Sequence, residues 1–187
     1  MTDHEPYTPG PASGARVEKQ DGENWALVLV RDLRHPPQKV WEALTDPVQL
    51  RQWAPFDADA TLATAGNRVK LTTVGAPTPH VTETTVTRAD APHLLVYNWG
   101  GNEMKWELEA VAGGTRLTLW TSIPQRYVAM GAAGWHVCFD VMERLLEGHP
   151  IGRIVGPEAM KFDGWHRLHA EYARQFGVEV VDLRRPQ

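Results

Sequence analysis

The chain has 187 residues, 42% apolar and 22% charged, which is ordinary for one soluble folded domain and gives enough length for a core without disulfide or metal staples. The formal net charge is −4 with no dense Lys/Arg run, so the electrostatic footprint of nucleic-acid binding is missing, and no apolar run approaches a membrane span. Cys138 stands alone, which excludes an internal disulfide framework and agrees with a reducing, cytoplasmic setting.

Residues 1–23 carry Pro6, Pro9 and Pro11 among small and polar residues, and Val17 is the only large aliphatic after Met1. Such a segment buries too little apolar surface to offset its ordering entropy, so a disordered, mobile tail is expected. It also lacks the basic start and apolar stretch of a signal peptide. Trp25–Leu33 is apolar on both parities, as a strand buried on two sides would be. Two short helices follow. Pro36 and Pro37 suit a first helical turn, and Val40, Trp41 and Leu44 form a narrow apolar stripe. Asp46 is placed to cap a second start, with Pro47 at its first position and Val48, Leu50 and Trp53 making one side sticky. Helices this short are unstable alone and must pack on something.

Asp59–Thr64, Arg68–Thr73, Val81–Arg88, Leu94–Trp99, Met104–Val111 and Thr115–Ile123 are then predicted strands. Met104, Trp106 and Leu108 alternate with Lys105, Glu107 and Glu109, and Gly113-Gly114 makes a hairpin turn. Short strands joined by tight turns predict an antiparallel meander with one apolar and one wet face. From about Tyr127 the period becomes helical, with Trp135, Cys138, Phe139, Met142, Leu145 and Leu146 on one stripe up to Gly148-His149-Pro150. A last helix is predicted over Pro157–Phe176, carrying Phe162, Trp165, Tyr172 and Phe176 on one stripe and closed by Gly177. The class is α+β, one domain over residues 24–177 with a C-terminal tail over 178–187, and the long helix must cover the apolar sheet face.

The order of these pieces is similar to the START-like, or SRPBCC, superfamily, and most of all to its branch of homologues of the activator of heat-shock protein 90 ATPase. The residues that carry the resemblance are Pro36 to Val40-Trp41, Leu44-Thr-Asp-Pro47, Leu50 and Trp53, then Glu83 and Leu95-Val-Tyr-Asn-Trp99, then Thr115-Arg-Leu-Thr-Leu119, Gly134-Trp-His-Val-Cys-Phe-Asp140 and Leu145. Trp165, Tyr172, Phe176 and Gly177 resemble the ending of some bacterial members. The resemblance implies a helix-grip: a curved antiparallel sheet of about seven strands around a long C-terminal helix, two short helices after the first strand, an extra C-terminal helix, and a cavity between sheet and helix. Members of the superfamily hold lipids, sterols, polyketides or hormones there, and some catalyse ring chemistry. The co-chaperone that names the branch has a further N-terminal domain for which this chain has no room, so ligand binding ranks ahead of chaperone activation.

Eight tryptophans are the first candidates for function. Trp53, Phe56, Trp99, Trp106, Trp135 and Phe139 are expected to line a cavity entered past Pro55-Phe56 and Gly75-Ala-Pro77, with simple core filling as the alternative. Trp120 has the parity of Arg116 and Thr118 and is expected to face outward, towards the tail, the last helix or a second subunit. His136 and Asp140 are spaced i, i+4, either as an oriented base or, more plainly, as a helix-surface pair or a contact to the last helix. Glu83, with Tyr97 on a neighbouring strand and Arg68 as ion partner, is either an inward carboxylate of raised pKa or a solvated one. His149, His166 and His169 lack the further ligands of a zinc pattern, so packing is preferred and no metal or other cofactor is expected. No nucleophile elbow or phosphate loop is present, and Cys138 in an apolar stripe is expected to be inert. The leading expectation is binding of a small hydrophobic or aromatic ligand, without nucleic-acid or membrane partners. The rivals are a hydrolase, cyclase or dehydratase using Glu83, Tyr97 or His136, and a co-chaperone-like interaction module. The last helix offers a surface for a homodimer, which the sequence neither requires nor excludes.

Overall fold

A computed structural model describes residues 7–182. Strand β1 (Ala15–Glu18) precedes β2 (Asn24–Leu33), and helices α1 (Pro37–Thr45) and α2 (Pro47–Leu50) follow. Then come β3 (Phe56–Ala58), β4 (Arg68–Thr73), β5 (His80–Thr85), β6 (Arg88–Asp90), β7 (Leu94–Trp99), β8 (Asn102–Val111) and β9 (Gly114–Pro124). A short 3-10 turn leads into α3 (Val128–Leu146), and α4 (Pro157–Met160) and α5 (Asp163–Phe176) end the fold. Six strands pair antiparallel in the order β1-β2-β9-β8-β7-β6, and β3-β4-β5 form a second, three-stranded sheet. The Asn98 amide donates to Thr84 Oγ1 at 3.0 Å, joining β7 to β5, so the two sheets make one bent surface against which α3 packs. This is the helix-grip arrangement, α+β, with α5 added outside α3.

The short front helices form as their punctuation dictates. Pro37 opens α1, which buries Val40, Trp41, Ala43 and Leu44. Asp46 caps α2, its side chain accepting from the Val48 amide at 2.9 Å. In the sheet, register stacks the apolar parity into rows: Leu29 faces Leu119, Leu119 faces Trp106 and Trp106 faces Leu95. Gly177, at φ +67°, stops α5 in the left-handed conformation that a side chain resists.

Four segments depart from the sequence reading. Within the expected tail, residues 7–18 are ordered: β1 pairs with β2 from Ala15–Leu29 to Glu18–Ala26, and residues 7–14 lie along α5. Composition gives little sign of this because the segment is held largely by main-chain hydrogen bonds to the edge of β2 and by polar side chains of α5, with Pro9 buried and Tyr7, Ala12, Ala15 and Val17 adding partly buried apolar surface. Residues 1–6 and 183–187 of the two expected tails lie outside the described residues. The strand expected at Asp59–Thr64 is instead a loop: Leu62 is buried, its amide donating to Thr45 O at 3.1 Å, and the strand falls just earlier, at β3. The strand expected over Val81–Arg88 breaks in two because it changes partner. Val86 bonds to residues 66 and 67 beside β4, whereas Thr87 already donates to Val96 of β7. That break and β1 make nine strands among the described residues, where about seven were expected.

The last helix likewise breaks, between Met160 and Asp163, giving the short α4 and the longer α5. Trp165, Leu168, Tyr172 and Phe176 of α5 are buried within the chain. Trp120 does face outward, between Arg16 of β1 at 5.1 Å and Lys105 of β8 at 5.5 Å from its ring. No helix among the described residues is long and apolar enough to cross a membrane.

Candidate functional site

The junction of sheet and α3 is filled by rings. Trp53 meets Trp106 edge-to-face at 6.1 Å, Trp106 meets Trp135 at 5.7 Å and Phe139 at 6.0 Å, and Phe56 meets Tyr97 at 6.3 Å. The indole N–H of Trp53 donates to Ala43 O at 2.9 Å, fixing the turn after α2 to α1, and that of Trp106 donates to the Tyr97 hydroxyl at 3.1 Å. Trp53, Phe56, Trp106 and Phe139, expected to line a cavity, are therefore packed core, with no more than 1% of their surface exposed. They fill the space because residues of alternating strand parity and of helical parity converge there from opposite sides.

The open space lies further along α3. A cleft of about 300 Å³ is bounded by Trp99 at the end of β7, Ile123 near the end of β9, and Pro55. Its floor is one face of α3: Met130, Gly131, Gly134, Trp135 and Cys138. Residues 131, 134, 135 and 138 follow the i, i+3, i+4, i+7 spacing that puts side chains on one face. The outer wall is Ile154, Val155, Gly156, Ala159, Met160 and Trp165. Of the six residues singled out from sequence, Trp99 and Trp135 reach this cleft, with ring centroids 6.0 Å apart. The missed lining had one legible signal. Two glycines inside a helix each cost about 1 kcal/mol relative to alanine, which calls for a reason in the tertiary structure. A Cβ at Gly134 would meet nothing within 4 Å, and one at Gly131 would lie 2.7 Å from Ile123 Cδ1.

The wall is fastened by polar contacts outside the cleft. Arg153 donates to Asp57 at 2.7 Å and to Ala54 O at 3.4 Å. Gly156 lies so close to the Gly75 loop that a Cβ would come 2.7 Å from Gly75 O, so that loop props the wall. Inside, Cys138 is the one titratable side chain on the lining among the described residues, and burial pushes its thiol up to about 12. The Trp99 indole N–H is committed to Thr73 Oγ1 at 3.2 Å.

The proposed acid–base residues are not brought together. Glu83 faces solvent, its side chain 51% exposed, with Arg68 at 3.4 Å. Its strand places it outward because Thr84 and Val86 take the buried parity. Tyr97 is buried in the core with its hydroxyl accepting from Trp106, and burial raises its pKa. His136 turns away from the cleft into the seam between α3 and α5. Its Nδ1 lies 2.7 Å from the Tyr172 hydroxyl and its Nε2 lies 3.6 Å from Asp140. Burial lowers the His136 pKa, against an opposing pull from Asp140. Asp140 is further held by Arg31 at 2.7 Å and by the Tyr7 hydroxyl. His169 is buried against Trp165 at 5.1 Å, while His149 and His166 are exposed. Among the described residues no three His, Cys, Asp or Glu side chains converge as a metal site would need.

Comparisons with known proteins agree with this architecture. No curated protein matches the chain. The structure is similar to that of the conserved protein EF2215 from Enterococcus faecalis, with a TM-score of 0.65, 15% identity, and 86% of this chain and 89% of that one covered. An AHSA1-like protein from Aeromonas hydrophila aligns with a TM-score of 0.54 and 20% identity over 66% of this chain and 92% of that one. DynU16, a protein of the dynemicin biosynthetic locus, aligns at 27% identity with a TM-score of 0.59, over 68% of this chain and 49% of that one. The family model described as "Activator of Hsp90 ATPase homolog 1-like protein" matches residues 34–147, from the first short helix to the end of α3, and the chain belongs to that family.

Proposed function

We propose that the chain binds a small apolar, ring-bearing molecule in the cleft between α3 and the wall of residues 154–165. The observation that carries this reading is the cleft itself: about 300 Å³ of space bounded by three indoles, two thioethers and bare helix backbone. Such a lining rewards burial of apolar surface at about 25 cal/mol per Å² and gives aromatic rings edges and faces to pack against. The likeness to a protein of the dynemicin biosynthetic locus supports a small-molecule setting. Catalysis has weaker support. Glu83, Tyr97 and His136 lie apart from the cleft and from each other, and a thiol pushed up to about 12 stays protonated near neutral pH. The lone buried cysteine suits a reducing compartment, so a cytoplasmic location belongs to the same proposal.

The test is titration with N-phenyl-1-naphthylamine, a neutral aromatic probe, followed by energy transfer from tryptophan. Saturable binding is expected for the native chain and its loss for Gly134→Leu, whose side chain enters the cleft without a backbone clash. Absence of saturation in the native chain, or unchanged binding in a folded Gly134→Leu, refutes the reading.

A further inference from the structure

Residues 7–14 run along α5 before entering β1. The Tyr7 ring meets Phe162 edge-on at 6.2 Å, while its hydroxyl donates to Asp140 on α3. Pro9 rests on Gly164, where a Cβ would come 2.5 Å from Pro9 Cγ. Arg167 donates to Pro9 O at 2.6 Å and to Gly10 O at 3.1 Å. Glu171 accepts from the Ala12 amide at 2.8 Å, and the Tyr172 hydroxyl donates to Ser13 O at 3.0 Å. Most of these contacts grip main-chain atoms.

The residues gripped adjoin the cleft's outer wall. Phe162 lies in the break between α4 and α5 and Gly164 in the first turn of α5, both between the lining residues Met160 and Trp165. The wall is a four-residue helix with connecting chain, much of it exposed, and such segments open at low free energy. Arg153–Asp57 fastens it near its start, and Tyr7, bridging Phe162 to Asp140, fastens it near its end.

We propose that residues 7–14 are a strap that governs ligand exchange at the cleft by pinning the wall of α4 and the start of α5. This rests on the cleft being a binding site. With the strap seated, Met160 and Trp165 keep their places over the α3 floor. With it released, the wall swings on its Arg153 end, and a ligand enters and leaves faster.

Full-length Gly164→Ala and Gly164→Ala/Arg167→Leu test this by hydrogen exchange and by stopped-flow mixing with N-phenyl-1-naphthylamine. The methyl group at position 164 displaces Pro9 and favours helix, and Arg167→Leu removes the grip on Pro9 O and Gly10 O. Amide exchange over residues 8–14 and 157–165 is expected to rise together by about tenfold, with both probe rates rising about fivefold. Freed amides at 8–14 with unchanged exchange at 157–165 would overturn the proposal, as would unchanged exchange at 8–14 in the double variant. Coupled exchange with unaltered probe rates overturns the control of ligand traffic. If the native chain takes up no probe, the binding reading fails by itself, and the coupling of strap to wall is still read from exchange.

Discussion

The Nδ1 of His136 on α3 and the hydroxyl of Tyr172 on α5 lie 2.7 Å apart, tying the two helices where the N-terminal segment crosses them. The hydroxyl has one proton, so when it donates to Ser13 O the imidazole must donate through Nδ1–H. Burial holds His136 below its ordinary value of 6.5, and His169 is lowered by burial and by His166. A folded-state pKa below the unfolded one means the unfolded chain takes up the proton first as pH falls. Stability from these histidines is thus full above about 6.5 and declines below it. The urea midpoint is expected to fall between pH 7.5 and pH 5.5, and His136→Asn, which keeps a polar atom near Nδ1, is expected to flatten that decline. An equal slope in the variant contradicts the assignment.

Trp106 separates core from cleft. It is buried between Trp53, Trp135 and Phe139 and donates to Tyr97. Trp106→Ala is expected to cost about 3–5 kcal/mol, the range for emptying a large aromatic site. Chemical denaturation measures this, and a loss under 1 kcal/mol would mean the junction is not packed as described.

The two glycines of α3 should respond differently. Gly134→Ala adds a methyl group into open space and is expected to stabilise by about 0.5–1 kcal/mol through helix propensity. Gly131→Ala presses on Ile123 Cδ1 and is expected to lose that gain or destabilise. Paired thermal melts decide; equal shifts count against the geometry of the floor.

Glu83→Gln is expected to change stability by no more than about 0.5 kcal/mol, because an exposed ion pair with Arg68 contributes little. A large loss of stability or of probe binding would restore the inward-facing carboxylate.

Much of the frame was legible in the chain. Alternating parity in β8, the Asp46 cap with Pro47, and the stripe of α3 are local signals, and each formed where its residues indicated. The direction of Glu83 is not legible in a Thr-rich strand without apolar parity, and only the inward turn of Thr84 and Val86 in the fold decides it. The order of the N-terminal segment was hidden, since main-chain hydrogen bonds to β2 and α5 leave no mark in side-chain composition.

Sequence by itself determined most of the elements, their order and the buried face of those with a clear apolar parity, because propensity and periodicity act over a few neighbouring residues. Tertiary structure alone decided where the rings met solidly and where room was left. That depends on how volumes from β7, β8, α3 and the 154–165 wall sum in space, and residues so far apart in the chain carry no local record of that sum.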